Sequence, residues 1–161
     1  MNMNQHDPLA VMDEFYAAEA EYVAAGGAGE ASFDRLAQCL DPDVVMYQAP
    51  GLPYSGSGAW HGHDGLQKFV TAFSETWQEM DIVEQQKLAD SDTVVVLLHV
   101  RLRSRVTGRW LDTSIVQVDK IKDGRITEFR PFYWDPAAVA DVCDYHPEHV
   151  TAGTDSGGHG P

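Results

Sequence analysis

Apolar residues recur at three- and four-residue spacing in the first part of the chain and at two-residue spacing in the last, so helix-forming text precedes strand-forming text. From Pro8 to about Ala25, PLAVMDEFYAAEAEYVAA sets Leu9, Met12, Tyr16, Ala20 and Val23 on one stripe with Phe15 beside it, which predicts an amphipathic helix. Pro8 suits its first turn and Gly26-Gly27 its end. SFDRLAQCL predicts a short second helix, with Ser32 as N-cap, Phe33, Leu36, Ala37 and Leu40 inward, and Asp41-Pro42 as the stop. HDGLQKFVTAFSETW predicts a third, with Leu66, Phe69, Val70 and Phe73 on one face and Asp64 where the helix dipole favours an anion.

DVVMYQ, Asp43 to Gln48, reads as a strand, and APGLPYSGSGAW after it as a Gly/Pro/Ser loop. MDIVEQQKLA, TVVVLLHVRLRSR and WLDTSIVQVDKIK follow as strand-like runs, the last closed by the turn Lys122-Asp123-Gly124. RITEFRPFYW is the last strand, and AAVADVC one more short helix. Residues 1–145 are expected to form a single domain and the polar, Gly-rich residues 146–161 a flexible C-terminal tail. Helices followed by a run of antiparallel strands describe an α+β domain. The expected shape is a conical barrel, a curved and mostly antiparallel sheet wrapped around the N-terminal helices.

At 161 residues, with 43% hydrophobic and 10% aromatic content, the chain has enough apolar mass for one packed core. A formal charge of -14 disfavours nucleic acid, and the cluster Arg101, Arg103, Arg105 and Arg109 is too small to reverse that. No apolar run reaches the roughly 18 residues of a membrane helix. The N-terminal text has no secretory pattern, and Cys39 and Cys143 lie far apart, so a cytoplasmic, reducing setting is expected.

Candidate chemistry gathers at RITEFRPFYWDP. Phe129, Phe132, Tyr133 and Trp134 precede Asp135, a carboxylate whose pKa would rise if those rings desolvate it. Asp135 equally precedes Pro136 and fits the N-cap of AAVADVC. Asp119 shares a strand face with Gln117 and Ile121, yet Lys120 and Lys122 beside it suggest a solvated charge. Tyr16 and Tyr22 lie too far round the helix to point the same way, and Tyr16 reads as core. His61-x-His63 with His99 allows a metal in principle, but that spacing without Cys is weak, and no metal is expected. No Gly-x-Ser-x-Gly and no nucleotide-binding glycine loop occurs.

Four pieces in order, EYVAAGGAGE, LDPDVVMYQAP, PYSGSGAWHGHDGLQKF and KDGRITEFRPFYWD, resemble the SnoaL-like, ketosteroid-isomerase-like group of the nuclear-transport-factor-2-like superfamily over about residues 8–140. The resemblance implies a homodimer that works without a cofactor on an apolar small molecule. By register, the isomerase base falls on Gln48, the helix-one Tyr on Tyr22 and the oxyanion-hole acid near Gln117. The epoxide-hydrolase Arg-x-Asp pair falls on Leu98 and Val100 and its last-strand Asp on Pro131. The SnoaL cyclase acid falls close to Asp135, with a bulge expected at Pro131.

The expected activity is proton transfer on a carbonyl-bearing, polyketide- or steroid-like ring compound, as a cyclase, isomerase or dehydratase. Asp135, Gln48, Tyr22 and His61 are the expected catalytic set. Met46, Trp60, His63, Gln117, Phe129, Tyr133 and Trp134 are the expected substrate-binding walls. A non-catalytic binding or assembly module on the same fold is the alternative.

Overall fold

The computed structural model describes residues 7–25 and 31–146, so the tail expected from residue 146 lies beyond them from 147 onward. Helix α1 (Pro8–Ala24) starts where Asp7 accepts a hydrogen bond from the Leu9 N–H at 3.0 Å and Pro8 fills the first turn. Its buried face is Val11, Met12, Phe15, Ala18, Glu19 and Tyr22, rotated from the expected stripe. Ala20 is exposed and Val23 half-buried. The Ala-rich text marks no sharp apolar edge, and a glutamate on the inner face broke the expected pattern.

Helix α2 (Asp34–Ala37) is a single turn whose first N–H, of Asp34, bonds the Ser32 hydroxyl at 3.1 Å. Strand β1 (Leu40–Tyr47) begins three residues before the expected Asp43. The loop after it returns as β2 (Ala59–His61), which pairs antiparallel with β1 and was hidden in Gly/Ser-rich text. Gly56 adopts φ +58, and a Cβ there would stand 2.8 Å from the Trp60 ring, so the loop closes on that ring only with glycine. Trp60 donates its indole N–H to the Tyr54 carbonyl at 3.2 Å, fixing the loop around a buried Tyr54.

Helix α3 (Gly62–Thr76) buries Leu66, Phe69, Val70 and Phe73, as its spacing predicts. The chain then runs through β3 (Trp77–Asp90), β4 (Thr93–Ser104), β5 (Trp110–Lys122) and β6 (Arg125–Tyr133), and ends in α4 (Pro136–Val142). The six strands form one sheet in the order β2-β1-β6-β5-β4-β3, antiparallel except for β1 beside β6. It is a curved, open sheet rather than a closed barrel. Strand β4 alternates strictly, with Val94, Val96, Leu98, Val100 and Leu102 buried against the helices.

A bulge in β6 sets the register of the site. Lys120 pairs with Glu128 and Ile121 with Ile126, so Thr127 is the extra residue. The slip lets Ile126 and Phe129 both face inward and passes that parity to Pro131 and Tyr133. Pro131 itself pairs regularly with Gln117, which corrects the bulge expected there.

Candidate active site

Between the sheet and helices α1 and α3 lies a narrow, mostly enclosed cavity. Phe15, Phe69, Phe73, Leu98, Val100 and Leu102 supply most of its apolar wall. Ile82 on edge strand β3, at 39% exposure the most exposed lining residue, marks the open side. The polar lining is Tyr16 and Glu19 from α1, Gln48 after β1, Gln117 from β5 and Tyr133 from β6.

Tyr16 donates its hydroxyl to Gln117 Oε1 at 2.9 Å, tying helix to sheet across the cavity. Tyr54 donates to the Tyr133 hydroxyl at 2.8 Å, which leaves the Tyr133 hydrogen free for another acceptor. Gln48 is buried; among the described residues its amide nitrogen reaches only the Met46 sulfur, at 3.3 Å, and its Oε1 has no partner.

The unusual group is Glu19. It lies on the apolar face of α1 at 8% exposure, and among the described residues no donor bonds its carboxyl. Burial alone pushes its pKa up to about 7. Asp119, fully buried on the inner face of β5, has no partner for either carboxyl oxygen among the described residues. Burial raises its pKa well above the ordinary value, and the charges of Glu19 and Glu128 push the same way. The Arg130 backbone N–H, a larger influence than either of those charges, pulls it down without offsetting burial. Tyr16 is raised too, first by burial and then by the negative charges of Asp119 and Glu19. Asp119 and Glu19 thus both bear on the Tyr16 hydroxyl, and Glu19 on Asp119.

Of the expected site residues, the cavity brings together Met46, Gln48, Gln117 and Tyr133. Asp135 is corrected: it is exposed, and its carboxylate accepts from the Ala138 N–H at 3.0 Å as the N-cap of α4. The strand ends at Tyr133, so the chain turns away before Asp135 can follow the inward parity. Trp134 is 85% exposed, as β-strand alternation requires of the residue after an inward Tyr133. Tyr22 is buried but packs edge-on against Phe33, so Tyr16 is the phenol in the cavity. His61 is an exposed residue at the start of α3, and His63 bonds the Leu40 carbonyl at 3.0 Å. Trp60 packs against Phe69 from behind, and Phe129 is fully buried against Phe15.

Sequence reading passed over Glu19, Tyr54 and the depth of Asp119. Glu19 carried one signal: it stands four residues after Phe15 and three before Tyr22, on the helix face both bury.

The basic side chains are engaged elsewhere. Arg105 bonds the carbonyls of Ser74 and Trp77, Arg101 and Arg103 lie over Trp110, and Arg109 faces Asp141. Among the described residues no group of three or more His, Cys, Asp or Glu is placed to hold a metal, and no helix is long and apolar enough to cross a membrane.

The SnoaL-like domain family matches residues 21–129, and the chain belongs to that family. An uncharacterised protein of Mycobacterium tuberculosis is 31% identical over 108 residues, covering 65% of this chain and 78% of that protein. An NTF2-like protein of Burkholderia xenovorans superposes with a TM-score of 0.72 at 19% identity, over 84% of this chain and 95% of that one. TerC, crystallised with polyporic acid, gives 0.70 at 17% identity, over 85% and 98%. The protein thus has the NTF2-like α+β fold.

Proposed function

We propose that this SnoaL-like protein binds an apolar, carbonyl-bearing ring compound in the cavity and moves a proton on it, without a cofactor. Glu19 is the acid/base group. The observation that carries this reading is the Glu19 carboxyl, held without a donor in an apolar cavity and raised to about 7, where a group both takes and gives protons near neutrality. The free Tyr133 hydrogen and the Gln117 amide nitrogen are the donors for charge developing on the substrate oxygen. Cyclisation, isomerisation and dehydration all use this pairing of a base with hydrogen-bond donors.

The fold hosts isomerases and cyclases, and a relative of the same fold has been crystallised with polyporic acid, which makes that compound a first ligand to try. Two free, buried cysteines support a reducing, cytoplasmic setting. Leu97, Trp110 and Phe132, exposed on the outer sheet face, support pairing of two copies there, which sedimentation would detect.

A binding-only module is the second reading, favoured by Gln48 standing where the isomerase register would place a base. Deuterium uptake separates the two. Ring ketones that bind the protein are followed by proton NMR in D2O for exchange beside the carbonyl. The proposal expects exchange with the wild type and none above background with Glu19→Gln. Binding without exchange assigns the protein to the second reading.

A further inference from the structure

The cavity is rich in acceptors and poor in charge compensation. Gln48, at 6% exposure, presents an Oε1 with no partner, and Glu19, at 8%, presents a carboxyl that no described donor meets. The Tyr16 hydrogen is already spent on Gln117. Behind this lining, Asp119 adds two more unpartnered oxygens. Among the described residues no Lys, Arg or His lines the cavity. Its walls include the rings of Phe15, Phe69, Phe73 and Tyr133 and the sulfurs of Met46 and Met80, surfaces that attract rather than repel a cation.

Three kinds of apolar ligand fare differently here. A carboxylate would bring a second charge beside Glu19 with no cation to offset either. A neutral carbonyl compound can accept from Tyr133 and Gln117 but brings no donor for the buried Gln48 oxygen and no charge to offset an ionised Glu19. An ammonium group brings several N–H donors and the missing charge together. The formal charge of -14 on the whole chain raises the local concentration of such cations further.

We infer that the cavity's ligand carries a protonated amine on its apolar ring body, with Glu19 as the charge partner and Gln48 Oε1 as a further acceptor. The inference rests on the reading given under Proposed function and narrows its substrate to an amine-bearing one.

The titratable groups facing Glu19 are Tyr16 on its own helix, Asp119 on β5 and Tyr133 on β6, and burial favours the neutral form of each. Strands β3 and β4 and helix α3 contribute only apolar lining. Ionisation of Glu19 therefore governs the charge of the cavity near neutral pH.

The test compares phenethylamine, phenethyl alcohol and phenylacetate by NMR titration at physiological salt. The amine should bind about tenfold or more tightly than the alcohol, and phenylacetate not measurably. Amine affinity should rise as pH passes upward through about 7, while alcohol affinity stays flat. Glu19→Gln, with its fold checked by circular dichroism, should bring amine and alcohol within about twofold of each other.

Alcohol binding equal to amine binding would overturn the amine and leave the cavity reading standing. Binding of none of the three would overturn both. An amine preference that survives Glu19→Gln, or that shifts only exposed acidic residues, would assign the effect to surface charge and end the inference. The wild-type pH profile gives the same decision should the variant misfold.

Discussion

The carboxyls of Asp135 and Glu19 stand in opposite environments. Asp135 follows three aromatics within four residues, yet it is exposed and holds the first turn of α4 through the Ala138 N–H. Glu19 has alanines on both sides, yet it sits at 8% exposure among rings that come from its own helix and from α3 and β6. Neighbours along a strand alternate between faces, so Tyr133 and Trp134 cannot together enclose the residue after them. Desolvation comes from the layers above and below a side chain. Glu19 has such layers, and burial moves its pKa toward neutrality.

The largest effect that can break this comparison is on catalysis. With a substrate identified, Glu19→Gln should lower turnover by about two to four orders of magnitude, and Asp135→Asn should leave it within about twofold. Equal losses in both variants would return Asp135 to the mechanism.

The next effect is on stability against pH, and its sign is opposite to that of an ordinary ion-paired carboxylate. The folded Glu19 holds its proton to about 7, whereas the unfolded chain releases it near 4.5. Across that window the folded state binds more protons, so stability falls as pH rises, by roughly 3 kcal/mol in total. Asp119 pushes in the same direction from its ordinary 3.8. Urea unfolding at about pH 5 and about pH 8 measures the drop. Glu19→Gln should remove most of it and raise the melting temperature at the higher pH. A wild type whose stability rises over this range would show that Glu19 ionises freely.

The tie between helix and sheet is worth less. Tyr16→Phe removes the hydroxyl that Gln117 Oε1 accepts from at 2.9 Å, and should destabilise by about 1.5 kcal/mol in the same unfolding assay. Tyr22→Phe is the control, because among the described residues the buried Tyr22 hydroxyl has no partner to lose, so stability should stay level or rise slightly.

Much of the fold was legible because its periodicities are strong. Strand β4 alternates without interruption, α3 repeats its apolar residues at helical spacing, and Lys122-Asp123-Gly124 turns β5 into β6 with Asp123 at φ 52. Gln48 and Gln117 were legible as cavity residues only through the register that the family resemblance implies. Glu19 and Asp119 were not, for one reason. A charged letter on an inner face reads as a break in the pattern, and its burial is decided by packing partners distant in sequence. Asp119 faces inward only because β5 keeps strict alternation from Thr113 to Ile121, and the lysines beside it point the other way. The end of β6 was misread for a second reason: the bulge at Thr127 and the turn after Tyr133 are two local events, each able to reverse which side chain faces the cavity.

The smallest effect sharpens the other side of the comparison. If Asp135 is a cap and nothing more, its removal should act on α4 alone. Asp135→Ala deletes the acceptor for the Ala138 N–H and the negative charge at the start of a seven-residue helix, and should destabilise by about 1 kcal/mol. Asp135→Asn keeps the acceptor and should lose only a few tenths of that. Hydrogen exchange locates the change: the amides of α4 should lose protection in Asp135→Ala while those of α1 and β5 keep theirs. Loosened amides in α1 would mean that the cap supports the cavity wall through Val139 and Val142, which pack in the same core, and the two carboxyls would then belong to one cooperative unit.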